Sequence, residues 1–79
     1  MKEFKVCIKT IENAKSFVSL ASKQDFNMDI ANGRYIVDAK SIMGILSLDL
    51  SKETKVTCYC DDDRKVESFK NLIYDMLVG

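Results

Sequence analysis

The sequence predicts an α+β fold: an open-faced two-layer sandwich in the order βαββαβα, with a four-stranded antiparallel sheet and three helices on one face. Three observations predict it. Four short segments alternate apolar and polar residues with the period of a strand. The segments between and after them carry apolar residues at helical spacing. Asn32-Gly33, the best turn signal in the chain, stands between two of the alternating segments and suits a tight hairpin.

In the first strand, Phe4, Val6 and Ile8 point one way and Lys5, Cys7 and Lys9 the other, through to Thr10. Asn13, with Ser16 as a rival, caps the first helix, which presents Ala14, Phe17, Val18 and Ala21 on one face and fades between Lys23 and Asp25. Phe26, Met28 and Ile30 mark the second strand. After the Asn32-Gly33 turn, where both central residues are expected at positive φ, Tyr35 and Val37 alternate with Arg34, Ile36 and Asp38 in the third. Ser41 caps a short helix over Ile42 to Leu48, weakened by Gly44. Lys55 to Cys60 is a β-branched and aromatic fourth strand. Asp61 to Asp63 caps a last helix with a stripe of Val66, Phe69, Ile73, Met76 and Leu77, with Leu72 beside it and Gly79 after it.

Seventy-nine residues, 47% of them hydrophobic, suffice for one domain spanning 1–79 with its own core. Twelve basic residues balance twelve acidic ones, which argues against a dominant nucleic-acid role and for protein partners. Residues 1–23 hold five lysines against Glu3 and Glu12, an excess of +3 that reads first as an ordinarily solvated surface and second as a face for an acidic partner. No apolar run approaches the roughly 20 residues that cross a bilayer, and Met1 to Thr10 alternates instead of forming a secretory leader. The expectation is a cytoplasmic protein with no membrane association.

Cys7, Cys58 and Cys60 are too few and oddly numbered for a closed disulfide framework or a zinc set. Asp61-Asp62-Asp63 is too contiguous to form a magnesium cage. Neither a phosphate-binding glycine loop nor a nucleophile–base pair is present, so no enzyme, cofactor or metal is expected.

The segment Asp38-Ala39-Lys40-Ser41-Ile42-Met43-Gly44-Ile45-Leu46-Ser47-Leu48 resembles the regulatory-serine segment of HPr, the phosphocarrier of the bacterial sugar phosphotransferase system. The element order is similar to HPr over essentially the whole chain. The resemblance implies that Ser41 is phosphorylated by a dedicated serine kinase and that the product binds a transcriptional regulator of carbon use. Lys40, Ile42, Met43, Gly44 and Ser47, with Lys15, are then the partner-binding residues. The same Ser41 oxygen can also simply cap its helix.

Family phosphocarriers hold a histidine at the start of the first helix beside an arginine and a proline. This chain has no histidine. Asn13, Lys15 and Ser16 stand as the degenerate site, in place of histidine, arginine and proline. In this respect the chain resembles a histidine-lacking paralogue that acts in catabolite repression. The function so implied is a non-catalytic regulator or adaptor unable to carry phosphohistidine. The alternative is a structural or assembly module without a phosphorylation role, which self-associates as a weak homodimer or binds a dedicated protein.

Overall fold

The computed structural model describes residues 1–78. Gly79, placed after the last helix by the sequence, lies outside the described residues. The elements run β1 (Lys2–Val6), α1 (Ile11–Ser22), β2 (Asn27–Asn32), β3 (Tyr35–Asp38), α2 (Ile42–Leu46), β4 (Thr54–Tyr59) and α3 (Asp63–Leu72), followed by a 3-10 turn at Tyr74–Met76. The order is βαββαβα, as the alternation and helical spacing predict. The four strands form one antiparallel sheet in the order β1-β4-β2-β3. Non-sequential neighbours place β4, the most buried strand, beside both β1 and β2.

One face of the sheet meets the helices. Val6 from β1, Met28 and Ile30 from β2, and Val56 and Cys58 from β4 pack with Ala14, Phe17 and Ala21 of α1, Ile45 of α2, and Val66 and Phe69 of α3. Phe17 and Phe69 meet edge to face at 5.7 Å, a favoured aromatic geometry. The core is apolar and its polar atoms are matched: among the described residues no buried side-chain nitrogen or oxygen lacks a partner. No helix among them is long and apolar enough to cross a membrane.

Local departures from the expected elements have physical causes. β1 stops at Val6 because the chain turns away to meet other segments: the Cys7 amide donates to the Met76 carbonyl at 2.8 Å and the Lys9 amide to that of Leu50 at 2.9 Å. Lys9 adopts φ 72°, a left-handed conformation uncommon for a residue with a side chain, and this reverses the chain into α1. The hairpin turn is centred on Gly33 and Arg34, since Asn32 pairs with Tyr35. Only Gly33 has positive φ, at 61°, the pattern of a turn that needs glycine at its first central position. The last apolar stripe is broken at Ile73, whose φ −112° and ψ 26° leave the helix. Ile73 and Met76 still reach the core through the 3-10 turn, whereas Leu72 is exposed.

Candidate functional site

Ser41 is half-buried and caps α2 from an extended conformation, φ −106° and ψ 112°. Its Oγ accepts from the Gly44 amide at 3.1 Å, and its carbonyl accepts from the Ile45 amide. The entry to this cap is fixed by a tight turn: the Ser41 amide donates to the Asp38 carbonyl, and the Lys40 amide to Asp38 Oδ1 at 2.8 Å. The expected cap is therefore present as geometry.

Around Ser41 the α2 side chains divide. Ile45 is fully buried, Ile42 is half-buried, and Met43 is exposed at 77%. Leu46 is partly open, and Ser47 is exposed with its hydroxyl turned back to the Gly44 carbonyl. An exposed methionine beside Gly44 is an adaptable apolar contact. Lys40 points elsewhere: its ammonium donates to the Gln24 carbonyl at 3.0 Å, stitching α2's approach to the end of α1.

The cap of the first helix is not where the sequence reading put it. α1 begins at Ile11, and its cap is Thr10, whose Oγ1 accepts from the Asn13 amide at 3.0 Å. Asn13 lies in the first turn, with its side-chain amide donating to the Ile8 carbonyl at 2.8 Å. Lys15 and Ser16 are exposed in the next turn. The position at the start of the first helix therefore belongs to Thr10. Asn13 and Ser16 instead border a groove shared with Leu20 and the segment from Asn71 to Met76. The available signal for Thr10 was a hydroxyl residue just ahead of Glu12, an acidic first-turn residue. It was masked by the alternation running through Lys9.

No group of three or more metal-binding side chains converges among the described residues. All three cysteines are free. Burial pushes the Cys58 thiol up to about 11, which suits an inert core residue and not a nucleophile.

Residues 10–74 match the family described as the PTS HPr component phosphorylation site. The chain belongs to the HPr family. Its fold is that of HPr-C-His from Thermoanaerobacter tengcongensis, with 31% identity, 95% of this chain and 93% of that one covered, and a TM-score of 0.77. A phosphocarrier protein HPr from Bacillus anthracis aligns at 26% identity over 90% and 92% of the two chains, with a TM-score of 0.68. The histidine-containing phosphocarrier protein of Mycoplasma shares the fold at 20% identity, 99% and 100% coverage, and a TM-score of 0.74. A comparison with curated protein sequences gives no match.

These findings correct the identification made from the missing imidazole. The matched relatives are HPr phosphocarriers, one named as histidine-containing, and not a histidine-lacking paralogue. The regulator-or-adaptor function drawn from that paralogue falls with it, and so does the structural module without a phosphorylation role. The physical reason is plain: one absent side-chain type is a local property, whereas kinship is carried by the whole sheet-and-helix framework. The chain is an HPr-family, phosphotransferase-system protein and not an enzyme; the matched relatives are named as phosphocarriers, and the family works through protein partners.

Proposed function

We propose that this chain is a phosphate-accepting member of the phosphotransferase system, with residues 1–79 forming one HPr-like domain and Ser41 its acceptor. The sequence holds no imidazole, so the acceptor is not a histidine. The observation that carries the reading is Ser41 held at the N-cap of α2, on the same short element as the open Met43. A partner that reaches Ser41 meets Ile42, Met43, Gly44 and Ser47 on the same short element. A phosphoryl group on Oγ retains oxygens that can accept from the Gly44 amide, so modification need not undo the turn.

Lys15 adds exposed positive charge on α1 for an acidic partner. Lys40 acts by holding the Asp38–Ser41 turn against α1, through its bond to Gln24. A serine kinase and a transcriptional regulator of carbon use are the specific partners to which this surface is assigned, in the cytoplasm.

The test is intact-mass and fragment analysis after incubation with nucleotide and an HPr serine kinase, beside the Bacillus anthracis protein as a control. One phosphoryl group on Ser41, absent from Ser41→Ala, is the expected result. A labelled control with no incorporation at Ser41 would overturn the acceptor assignment. Titration of the labelled and unlabelled protein with the regulator then tests the partner: no binding by either form rejects it.

A further inference from the structure

The two edges of the sheet are treated differently. On β1, the C-terminal segment closes part of the edge: Val6 bridges Leu77, and the Val78 amide donates to the Lys5 carbonyl at 3.0 Å. Among the described residues β3 has no such cover, and it carries Tyr35 and Ile36 at 72% and 67% exposure. An open strand edge with apolar side chains is a template for another strand.

The backbone of β3 fixes which groups are free. Asn32 and Tyr35 flank the two-residue turn, so they form a hydrogen-bonded pair, as do Ile30 and Val37. The Ala39 amide continues that ladder to the Met28 carbonyl at 3.0 Å. The amides of Ile36 and Asp38 therefore face outward. So does the Ile36 carbonyl, while the Asp38 carbonyl is held by Ser41.

Charge on the edge is self-complementary. Arg34 stands at one end of β3 and Asp38 at the other. Neither forms an ion pair among the described residues. Asp38 also lies directly opposite Asp29 on β2, in a non-hydrogen-bonded pair where side chains come closest. Like charges so placed repel. Asn27, Asp29, Asp38 and Tyr59 line this shallow depression without a basic residue.

We infer that a second copy of this chain pairs with β3, antiparallel, in the register that sets Ile36 opposite Ile36 and Arg34 opposite Asp38 of the other copy. In that register the outward groups of Ile36 meet each other twice. Each Asp38 amide faces the Arg34 carbonyl of the other copy. Each guanidinium reaches the acidic pair Asp38–Asp29. The two Ile36 side chains cover one another on the open sheet face, and each Tyr35 lies against Val37 of the other copy. A register shifted by one residue points paired backbone groups away from each other, and one shifted by two separates both charge pairs. The contact is short, so the dimer is weak and concentration-dependent.

Sedimentation equilibrium of the full chain under reducing conditions, from micromolar to millimolar, tests this. Reversible monomer–dimer behaviour is expected. Arg34→Asp and Asp38→Arg should each weaken association by about tenfold. An equimolar mixture of these two variants should regain the wild-type affinity, because their heterodimer restores both charge pairs. Mixing also separates the charge effect from any local loss of the Asp38–Lys40 turn. Ile36→Pro removes an outward amide and an exposed side chain, neither of which the sheet of the monomer uses, and should abolish the dimer while circular dichroism shows a folded monomer. A wild-type chain that is monomeric throughout, a mixture without recovery, or an Ile36→Pro variant that still dimerises would each overturn the inference.

Discussion

A Cβ placed on Gly44 would lie 3.0 Å from Val37 Cβ. Helix α2 therefore rests close against β3 at position 44, where a side chain would force Val37 to give by a few tenths of an ångström. Gly44→Ala improves helix propensity by about 0.5–1 kcal/mol, but it forces a packed neighbour to move, which costs about 1–3 kcal/mol. The second effect should win. Urea unfolding should show a net loss of about 1 kcal/mol, with the midpoint lowered and the slope unchanged. An unchanged or raised midpoint would mean that α2 can slide on the sheet.

Ser41→Ala removes the oxygen that accepts from Gly44 and should cost about 0.5–2 kcal/mol. Ser41→Asp keeps an acceptor at the cap, so it should retain most of the stability while accepting no phosphoryl group. The two variants separate capping from modification. Denaturation midpoints and intact mass after kinase treatment give both readouts. Equal stability losses in the two would show that the cap oxygen contributes little.

Much of the framework could be read from the chain. The alternation at Phe26, Met28 and Ile30, and the helical spacing of Ala14, Phe17 and Ala21, record burial directly, and those residues are buried. The Ser41 cap was legible for the same local reason. The start of α1 was not. Lys9 has the composition of an alternating strand, and nothing in lysine announces φ 72°. That reversal depends on the long-range bond from Lys9 to Leu50. The role of Lys40 was hidden likewise, since its acceptor, the Gln24 carbonyl, is remote in sequence.

Asn13 gives a sharp test of the corrected helix start. Aspartate normally suits a first turn, by about 0.3–1 kcal/mol. Here Asn13 donates to the Ile8 carbonyl at 2.8 Å, which an ionised aspartate cannot do. Asn13→Asp should therefore destabilise at neutral pH, by about 1 kcal/mol. Its deficit should shrink in acid, where a protonated carboxyl can donate. Thermal unfolding of variant and wild type at both conditions checks it. A stabilised variant at neutral pH would refute the stated role of the Asn13 amide.

Asp25 and Lys65 meet at 2.8 Å on the surface. The hydrogen bond to Lys65, then its charge, lowers the Asp25 pKa below 3.8. The lowered value means the contribution is present above the unfolded aspartate value and is lost as pH falls through the folded one. Asp25 in turn raises Lys65 above 10.5. That contribution is full below the unfolded lysine value and is lost as pH rises through the folded one. Carboxyl NMR titration should show the Asp25 midpoint rising in Lys65→Gln. An unmoved midpoint would show that the pair does not persist in solution.

Cys58 provides a buried reference for global opening. It is fully buried in β4, while Cys7 and Cys60 are half-buried. Burial first, and then the neighbouring Cys60, raises the Cys58 thiol from 9.0 to about 11, against a small opposing effect of Lys70. A raised pKa means the folded state holds the proton more tightly. Its stabilising effect is thus full below about pH 9 and falls as pH rises towards 11. At mildly alkaline pH, a coloured thiol reagent should modify two cysteines quickly and the third only as the domain opens. The slow phase should accelerate in Gly44→Ala, which lowers stability without touching Cys58, and it should disappear in Cys58→Ala. Three fast equivalents from the native chain would show that β4 is accessible without unfolding.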